Sequence, residues 1–354
     1  KEGASLSRNG WRDRKRVDSA AGRWQKSDMS DLSSSIASDR RAFLAASGVA
    51  LGAMASGLPV NAASSPASGE GRSDTQPQRF RLGLNMSTIR GQELDAAAEI
   101  EIAGRAGYEC IEPWFRKLNE YVAGGGSLDD LKKRIDDHGL TVESAIGFAK
   151  WIVNDPAERA AGLEEAKRDM DTIARLGGLR IAAPPVGVAK GETVSLDDAA
   201  DRYRALLELG DEMGVVPQVE MWGGNPIIGT VEQALYVAIR SGHAKACFLG
   251  DVYHTYKGGS SFESILLMGP GALQTYHLND YPADPPRATI RDADRVFPGD
   301  GIAPLTRILK NFQAVGAYPV LSLELFHPDY WKMPALECAK IGLEKMKAVV
   351  AAAT

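Results

Sequence analysis

Four residues that can bind a divalent cation stand at or near the C-terminal end of short apolar segments. The segments read VVPQVE, ACFLGD, QTYHLND and PVLSLEL, and the four residues are Glu220, Asp251, His277 and Glu324. Three carboxylates and one imidazole can hold a cation and still leave coordination positions open for a substrate. The pattern therefore predicts a metal-dependent enzyme.

The elements that must position these residues are strands that alternate with helices. Eight β-rich segments begin at residues 81, 109, 141, 179, 215, 246, 274 and 319, and the spacing leaves room for one helix in each interval. Apolar strands buried on both faces predict a single (β/α)8 TIM barrel over residues 80–354. All strands of such a barrel end on the same face, so the four candidate ligands should converge. Several intervals close with a glycine suited to end a helix: Gly107, Gly139, Gly178, Gly214 and Gly316.

Composition narrows the class of protein further. The 354 residues are 44% hydrophobic and 25% charged, with a net charge of -5 and only five histidines. The acidic balance argues against a nucleic-acid partner, because phosphate binding needs clustered lysine and arginine. Three cysteines far apart in the chain do not favour a disulfide framework. A small, neutral or weakly charged substrate fits best.

The N-terminal region has the pattern of a targeting segment. Within residues 38–63, Arg40 and Arg41 precede Phe43 and Leu44 and an apolar stretch rich in alanine and glycine. This pattern predicts a twin-arginine export signal, with residues 1–63 as upstream extension and signal and residues 64–79 as a disordered linker. The apolar run is shorter than the ~20 residues that span a bilayer, so we expect no stable membrane anchor. The expected location is the periplasm or another extracytoplasmic compartment.

Several motifs resemble those of a known superfamily. The segments VEMWG, GDVYHTYKGG, YHLNDYP and SLELFHPDYW are similar to those of xylose isomerase-like barrels, in the sugar phosphate isomerase/epimerase branch, over about residues 81–350. The resemblance implies one divalent ion, Mn²⁺ as first choice with Mg²⁺, Co²⁺ or Zn²⁺ as alternatives. It implies Glu220, Asp251, His277 and Glu324 as ligands, the two glutamates as acid/base groups and His254 as a substrate contact.

Further substrate contacts are expected near strand ends. Glu112, which precedes Pro113 and Trp114, either faces the substrate or has a structural role. Trp114 and Trp222 either stack on sugar C–H faces or pack at the barrel mouth. The superfamily usually places an arginine soon after the histidine ligand, and here a long loop offers three: Arg287, Arg291 and Arg295. We choose Arg287 for this role.

The resemblance implies proton abstraction next to a carbonyl, and the chemistry of these residues agrees with it. A metal ion that stabilises the enediolate oxygen acidifies the intervening C–H group, and a glutamate pair removes and returns the proton. The predicted activity is a sugar isomerase or epimerase acting on a small-molecule ketose or keto-glycoside. A lyase or dehydratase using the same site is the alternative, and an endonuclease or a non-catalytic sugar-binding protein is less favoured. The reacting carbon, the native metal and the oligomeric state, including a homo-oligomer, stay open.

Overall fold

Eight parallel strands form one closed sheet in the computed structural model, which describes residues 79–354. Neighbouring strands follow the order β3-β2-β1-β8-β7-β6-β5-β4. The strands are β1 Leu82–Asn85, β2 Cys110–Glu112, β3 Thr141–Val142, β4 Arg180–Ala183, β5 Val216–Glu220, β6 Phe248–Asp251, β7 Leu273–Leu278 and β8 Val320–Leu323. The predicted (β/α)8 barrel is confirmed.

The barrel closes between β3 and β4 through a short contact. Beyond Val142 the chain runs on to Ala145, whose carbonyl oxygen accepts a hydrogen bond from the Ala182 N–H at 2.9 Å. Trp114 and Ile146 form an isolated parallel bridge on the other side of this segment. The extended segment therefore continues beyond the two-residue β3 to Ile146 and contacts both neighbouring strands of the barrel.

Helices connect the strands and cover the outside of the barrel. They are α1 Ala96–Ala106, α2 Phe115–Ala123, α3 Leu128–Asp137, α4 Pro156–Arg175, α5 Leu196–Met213, α6 Val231–Arg240, α7 Val252–Gly258, α8 Leu305–Ala314 and α9 Ala335–Ala351. Short 3-10 helices occupy Met86–Gln92, Phe262–Leu267, Pro270–Ala272, Asp292–Asp294 and Tyr330–Lys332. Polar side chains such as Ser127 and Ser195 cap the helix N-termini.

The apolar periodicity of the helices determines which face packs on the sheet. In α8, Leu305, Ile308, Leu309 and Phe312 are all buried, as their spacing predicts. Helix α4 ends differently from the prediction, because Gly177 (φ 76°) rather than Gly178 adopts the left-handed conformation. The buried apolar faces of the helices and the outward side chains of the strands together form the hydrophobic core.

Strand register brings the candidate residues to one rim. Asp251 of β6 pairs with His277 of β7, which in turn pairs with Ser322 of β8. On the other side, Asn85 of β1 pairs with Glu112 of β2. All of these positions lie near the C-terminal ends of parallel strands, where barrel enzymes carry their active sites.

Three predictions concern the N-terminal region. The upstream extension and export signal (1–63) lie outside the described residues, and so does the linker prediction except for its last residue. That residue, Arg79, has a defined place, since its guanidinium donates to Glu109 Oε1 at 2.9 Å. Within residues 79–354, none of the helices is both long and apolar enough to cross a membrane.

Candidate active site

Asp251, His277 and Glu324 form a compact buried group at the rim of the barrel. One donor atom from each of the three residues lies within 4.8 Å of the other two. His277 Nδ1 is 3.1 Å from Glu324 Oε2 and 3.5 Å from Asp251 Oδ2. Two carboxylate oxygens and one imidazole nitrogen at this spacing suit a single divalent cation.

Glu112 lies behind the imidazole. Its Oε2 is 2.9 Å from His277 Nε2 and accepts hydrogen bonds from Asn85 Nδ2 at 2.7 Å and Ser322 Oγ at 2.8 Å. A carboxylate on the far nitrogen of a ligating histidine fixes the ring orientation and the tautomer, here with Nδ1 towards Asp251 and Glu324. Glu112 is therefore placed to orient His277 and does not line the cavity as a substrate contact would.

Asp251 serves two local purposes. Its Oδ1 caps helix α7 by accepting the His254 backbone N–H at 2.8 Å, which leaves Oδ2 for the group. Asn279 Nδ2 donates to that Oδ2 at 3.1 Å. The residue before it, Gly250, makes room for Tyr276, because a Cβ there would lie 2.2 Å from the ring. The sequence GDVYH thus ends a strand, begins a helix and presents a carboxylate in consecutive residues.

Arg295 inserts a guanidinium among these carboxylates. Its Nη1 donates to Asp251 Oδ2 at 3.0 Å and to Glu324 Oε2 at 2.7 Å, and the residue is completely buried. Arg287 does not line the cavity, and its carbonyl oxygen accepts a hydrogen bond from Lys257 at the end of α7. The arginine chosen from the sequence is therefore not the one that reaches the site. Arg295 takes that place.

A cavity of about 360 Å³ opens beside the group. Glu220 and Glu324 both line it, as does His254, which is only 8% exposed. Glu220, at the end of β5, is outside the compact group of Asp251, His277 and Glu324 and makes no ion pair with another described residue. The structure therefore brings together three of the four predicted ligands and places the fourth on the adjoining cavity wall.

Aromatic side chains form the remaining wall of the cavity. Trp114 and Trp222, both expected from the sequence, lie on either side of Phe148, with ring centroids 5.5 Å and 6.3 Å from it. Phe326 packs against Trp114 at 6.2 Å. Phe148 is 41% exposed at the mouth. Such a surface suits the C–H faces of a polyol ring, while the polar groups at the other side suit its hydroxyl groups.

Charge within the site perturbs the acid–base groups. Burial raises the pKa of Glu220 to about 8, against the opposing charge of His277. Burial alone would lower the pKa of His277, but the carboxylates of Glu324 and Glu112 raise it well above its usual value. Burial would raise the pKa of Asp251, yet the positive charge of Arg295 and its neighbours holds it far below. The group as a whole attracts positive charge.

A divalent metal ion fits the residues present. His277 Nδ1 is buried and has no hydrogen-bond partner in the described chain, although its other nitrogen is paired with Glu112. An imidazole nitrogen so aimed at two carboxylate oxygens has the donor chemistry of a metal ligand. The surplus negative charge that raises the pKa of His277 would equally favour a cation in place of the proton.

Sequence reasoning named Arg295 as a candidate without choosing it. It missed several other residues of the site, namely Asn85, Phe148, Asn279, Asp292 and Phe326. For Arg295 a signal existed in its context. It directly precedes Val296 and Phe297, and Val296 pairs with Asp280 in an antiparallel bridge. The other two arginines of the loop have no such apolar pair after them.

Comparison with known proteins shows the family. A family model described as xylose isomerase-like TIM barrel matches residues 100–349. The chain belongs to this family. The superfamily resemblance drawn from the strand-end motifs is therefore confirmed.

Several relatives of this xylose isomerase-like barrel are named isomerases. An inosose isomerase of Bacillus velezensis is 29% identical over 258 residues, which cover 71% of this chain and 91% of the relative. The crystal structure of the protein IolI with a bound zinc atom has a TM-score of 0.72 and 26% identity, covering 78% of this chain and 99% of that one. A D-psicose 3-epimerase structure shares the fold at a TM-score of 0.62 and 18% identity, covering 77% and 99%. These relatives indicate that this chain is an enzyme of the isomerase type.

Proposed function

We propose that this xylose isomerase-like barrel is a divalent-metal-dependent isomerase or epimerase that moves a proton beside the carbonyl of a ketose or keto-glycoside. The observation that carries the proposal is the cavity in which Glu220 and Glu324 stand next to Asp251 and His277. The inosose isomerase relatives make a cyclic polyol ketone the first substrate class to test.

The chain supplies groups for each part of this reaction. Asp251, His277 and Glu324 would hold the ion, and Glu220, which lines the same cavity as Glu324, would complete the predicted set of four. The ion, when bound, supplies positive charge for the oxygen atoms of the substrate. We favour Mn²⁺, and the zinc in the IolI structure makes Zn²⁺ the main alternative.

Proton transfer falls to the two glutamates of the cavity. Burial raises the pKa of Glu220 to about 8 in the absence of an ion, so Glu220 can hold and release a proton near neutral pH as long as the ion does not bind it. Glu324 faces the same cavity and can act on the other side of the substrate carbon. Return of the proton to the same carbon inverts it, whereas return to the neighbouring carbon moves the carbonyl group.

Solvent deuterium exchange tests the proposal. Mn²⁺-loaded enzyme in D₂O should introduce deuterium beside the carbonyl of an inosose. Glu324→Gln should reduce this exchange at least 10³-fold, as removal of an acid/base group implies, while its circular dichroism spectrum shows that the fold is retained. Glu337→Gln, an exposed change on α9, is the matched control. Full exchange by the Glu324 variant would refute the assignment. A product lighter by one water would show the dehydratase alternative instead.

We also propose export by the twin-arginine pathway, which the residues around Arg40 and Arg41 support. Replacing both arginines with lysine should retain the enzyme in the cytoplasm of its host, as judged by immunoblots of cell fractions. The same distribution for the variant and the unaltered protein would contradict the proposal.

A further inference from the structure

The two carboxylates that Arg295 Nη1 contacts, those of Asp251 and Glu324, are themselves candidate metal ligands. The Asp251 Oδ2 and Glu324 Oε2 atoms that accept from its Nη1 are the same atoms that lie 3.5 Å and 3.1 Å from His277 Nδ1. A guanidinium is always charged in proteins, so a cation is already bound to these oxygens. Two buried cations against the same two oxygens repel each other strongly.

We propose that Arg295 is an internal counter-cation that competes with the metal ion, and that its Nη1 leaves Asp251 and Glu324 when the ion binds. The inference rests on the proposed metal site. Its physical basis is that buried carboxylates without a partner are strongly destabilising, so a built-in cation keeps the metal-free barrel folded. The affinity for metal is then lowered by the cost of displacing the guanidinium.

The loop offers the guanidinium a second partner. Arg295 Nη2 pairs with Asp292, a cavity-lining carboxylate whose side chain is 54% exposed. The guanidinium also lies 4.4 Å from the Tyr253 ring and 5.0 Å from the Phe326 ring. A carboxylate and two aromatic faces can retain the group after Nη1 gives up its two contacts.

The contact with His254 favours such a movement. Its Nδ1 accepts the Gly223 N–H at 3.2 Å, and its Nε2 lies 3.0 Å from Arg295 Nη2. A neutral imidazole has one protonated nitrogen and can accept at only one of the two positions. One of these contacts therefore sets two N–H groups against each other, and withdrawal of Arg295 would relieve it.

Metal titration of Arg295 variants tests the competition. Calorimetric titration with Mn²⁺ alone, and separately with Zn²⁺ alone, should show at least tenfold tighter binding by Arg295→Gln than by the unaltered chain. The melting temperature of the metal-free variant should fall. Arg291→Gln, in the same loop with a 79% exposed side chain, should change neither quantity.

Removing the positive charge of Arg295 could raise the metal affinity without any displacement of the guanidinium. A double-mutant cycle with Asp292 separates the two effects. Asp292→Asn should weaken Mn²⁺ binding several-fold, because the displaced guanidinium loses its second partner, and this effect should vanish in the Arg295→Gln background. Persistence of the full effect there would overturn the proposal.

A crystal structure of the Mn²⁺-loaded enzyme provides the direct readout. Nη1 should lie beyond hydrogen-bonding distance of at least one of Asp251 Oδ2 and Glu324 Oε2. Both bonds intact would overturn the competition while leaving the metal site standing. An unaltered chain that binds neither ion would overturn the proposed function as well.

Discussion

Glu112 shows how a single residue acts on the site without touching the cavity. Its three hydrogen bonds come from His277, Asn85 and Ser322, on three different strands. Burial opposes its ionisation, but the charge of His277 and these hydrogen bonds lower the pKa of Glu112 below its usual value. An ionised Glu112 therefore raises the basicity of the imidazole and fixes its direction.

Replacing Glu112 by glutamine tests this positioning role. We expect metal binding to weaken about 10- to 100-fold, because the neutral amide neither orients nor charges the imidazole as the carboxylate does. Calorimetric titration with Zn²⁺ measures the change. Glu120→Gln, at an exposed position of α2, should bind Zn²⁺ as the unaltered chain does. Equal affinities for the two variants would show that Glu112 has no influence on the ligand.

At the scale of elements, the loop between β7 and α8 is the part that the site depends on most. Asp280 holds it from one end, where its carboxylate accepts the backbone N–H groups of residues 281, 299, 301 and 303. Lys257 of α7 holds the middle of the loop by donating to the carbonyl groups of residues 287, 288 and 290. These contacts fix the path on which Arg295 reaches the carboxylates.

The change Asp280→Asn should loosen this loop. An amide offers one acceptor oxygen where the carboxylate offers two, so at least one pair of backbone N–H groups loses its partner. We expect faster hydrogen exchange over residues 285–301 and about a tenfold lower kcat/KM. Asp300→Asn, in the same loop but paired with Lys345 near the surface, is the control. Unchanged exchange in the Asp280 variant would mean that other contacts hold the loop.

At the scale of the whole molecule, stability depends on a buried carboxyl far from the cavity. Glu99 of α1 is 2% exposed, and burial raises its pKa to about 8, with Lys117 only partly offsetting this. In the unfolded chain the same group has its ordinary value of 4.5. The folded protein therefore binds the extra proton between these pH values, and stability falls as the pH rises from about 4.5 to 8.

Glu99→Gln should remove this part of the pH dependence. Relative to the unaltered protein, the variant should gain about 3 kcal/mol of unfolding free energy between pH 5 and pH 8. Urea denaturation at several pH values measures the difference. Glu164→Gln, at an exposed position of α4, should track the unaltered protein throughout. A constant difference between Glu99→Gln and the unaltered protein would place the source of the pH dependence elsewhere.

The sequence by itself determined the barrel and the direction of its chemistry. Strands that are apolar on both faces and separated by helix-length intervals admit few other folds, and the predicted starts lie within two residues of the observed ones. Asp251, His277 and Glu324 could be chosen because a strand end determines where its last side chain points. Local patterns also predicted most helix ends, with the end of α4 as an exception, where Gly177 takes the place expected for Gly178.

Only the tertiary structure decided the contacts made across the barrel. Arg295 could not be distinguished from Arg287 by spacing, because a long loop has no period and its path depends on Asp280 and Lys257. The sequence left Glu112 open between a substrate contact and a structural role. The contact with His277, 165 positions away, decides for positioning of the imidazole. Long-range packing is not encoded in the pattern of adjacent residues, and it determines which of several similar side chains performs each role.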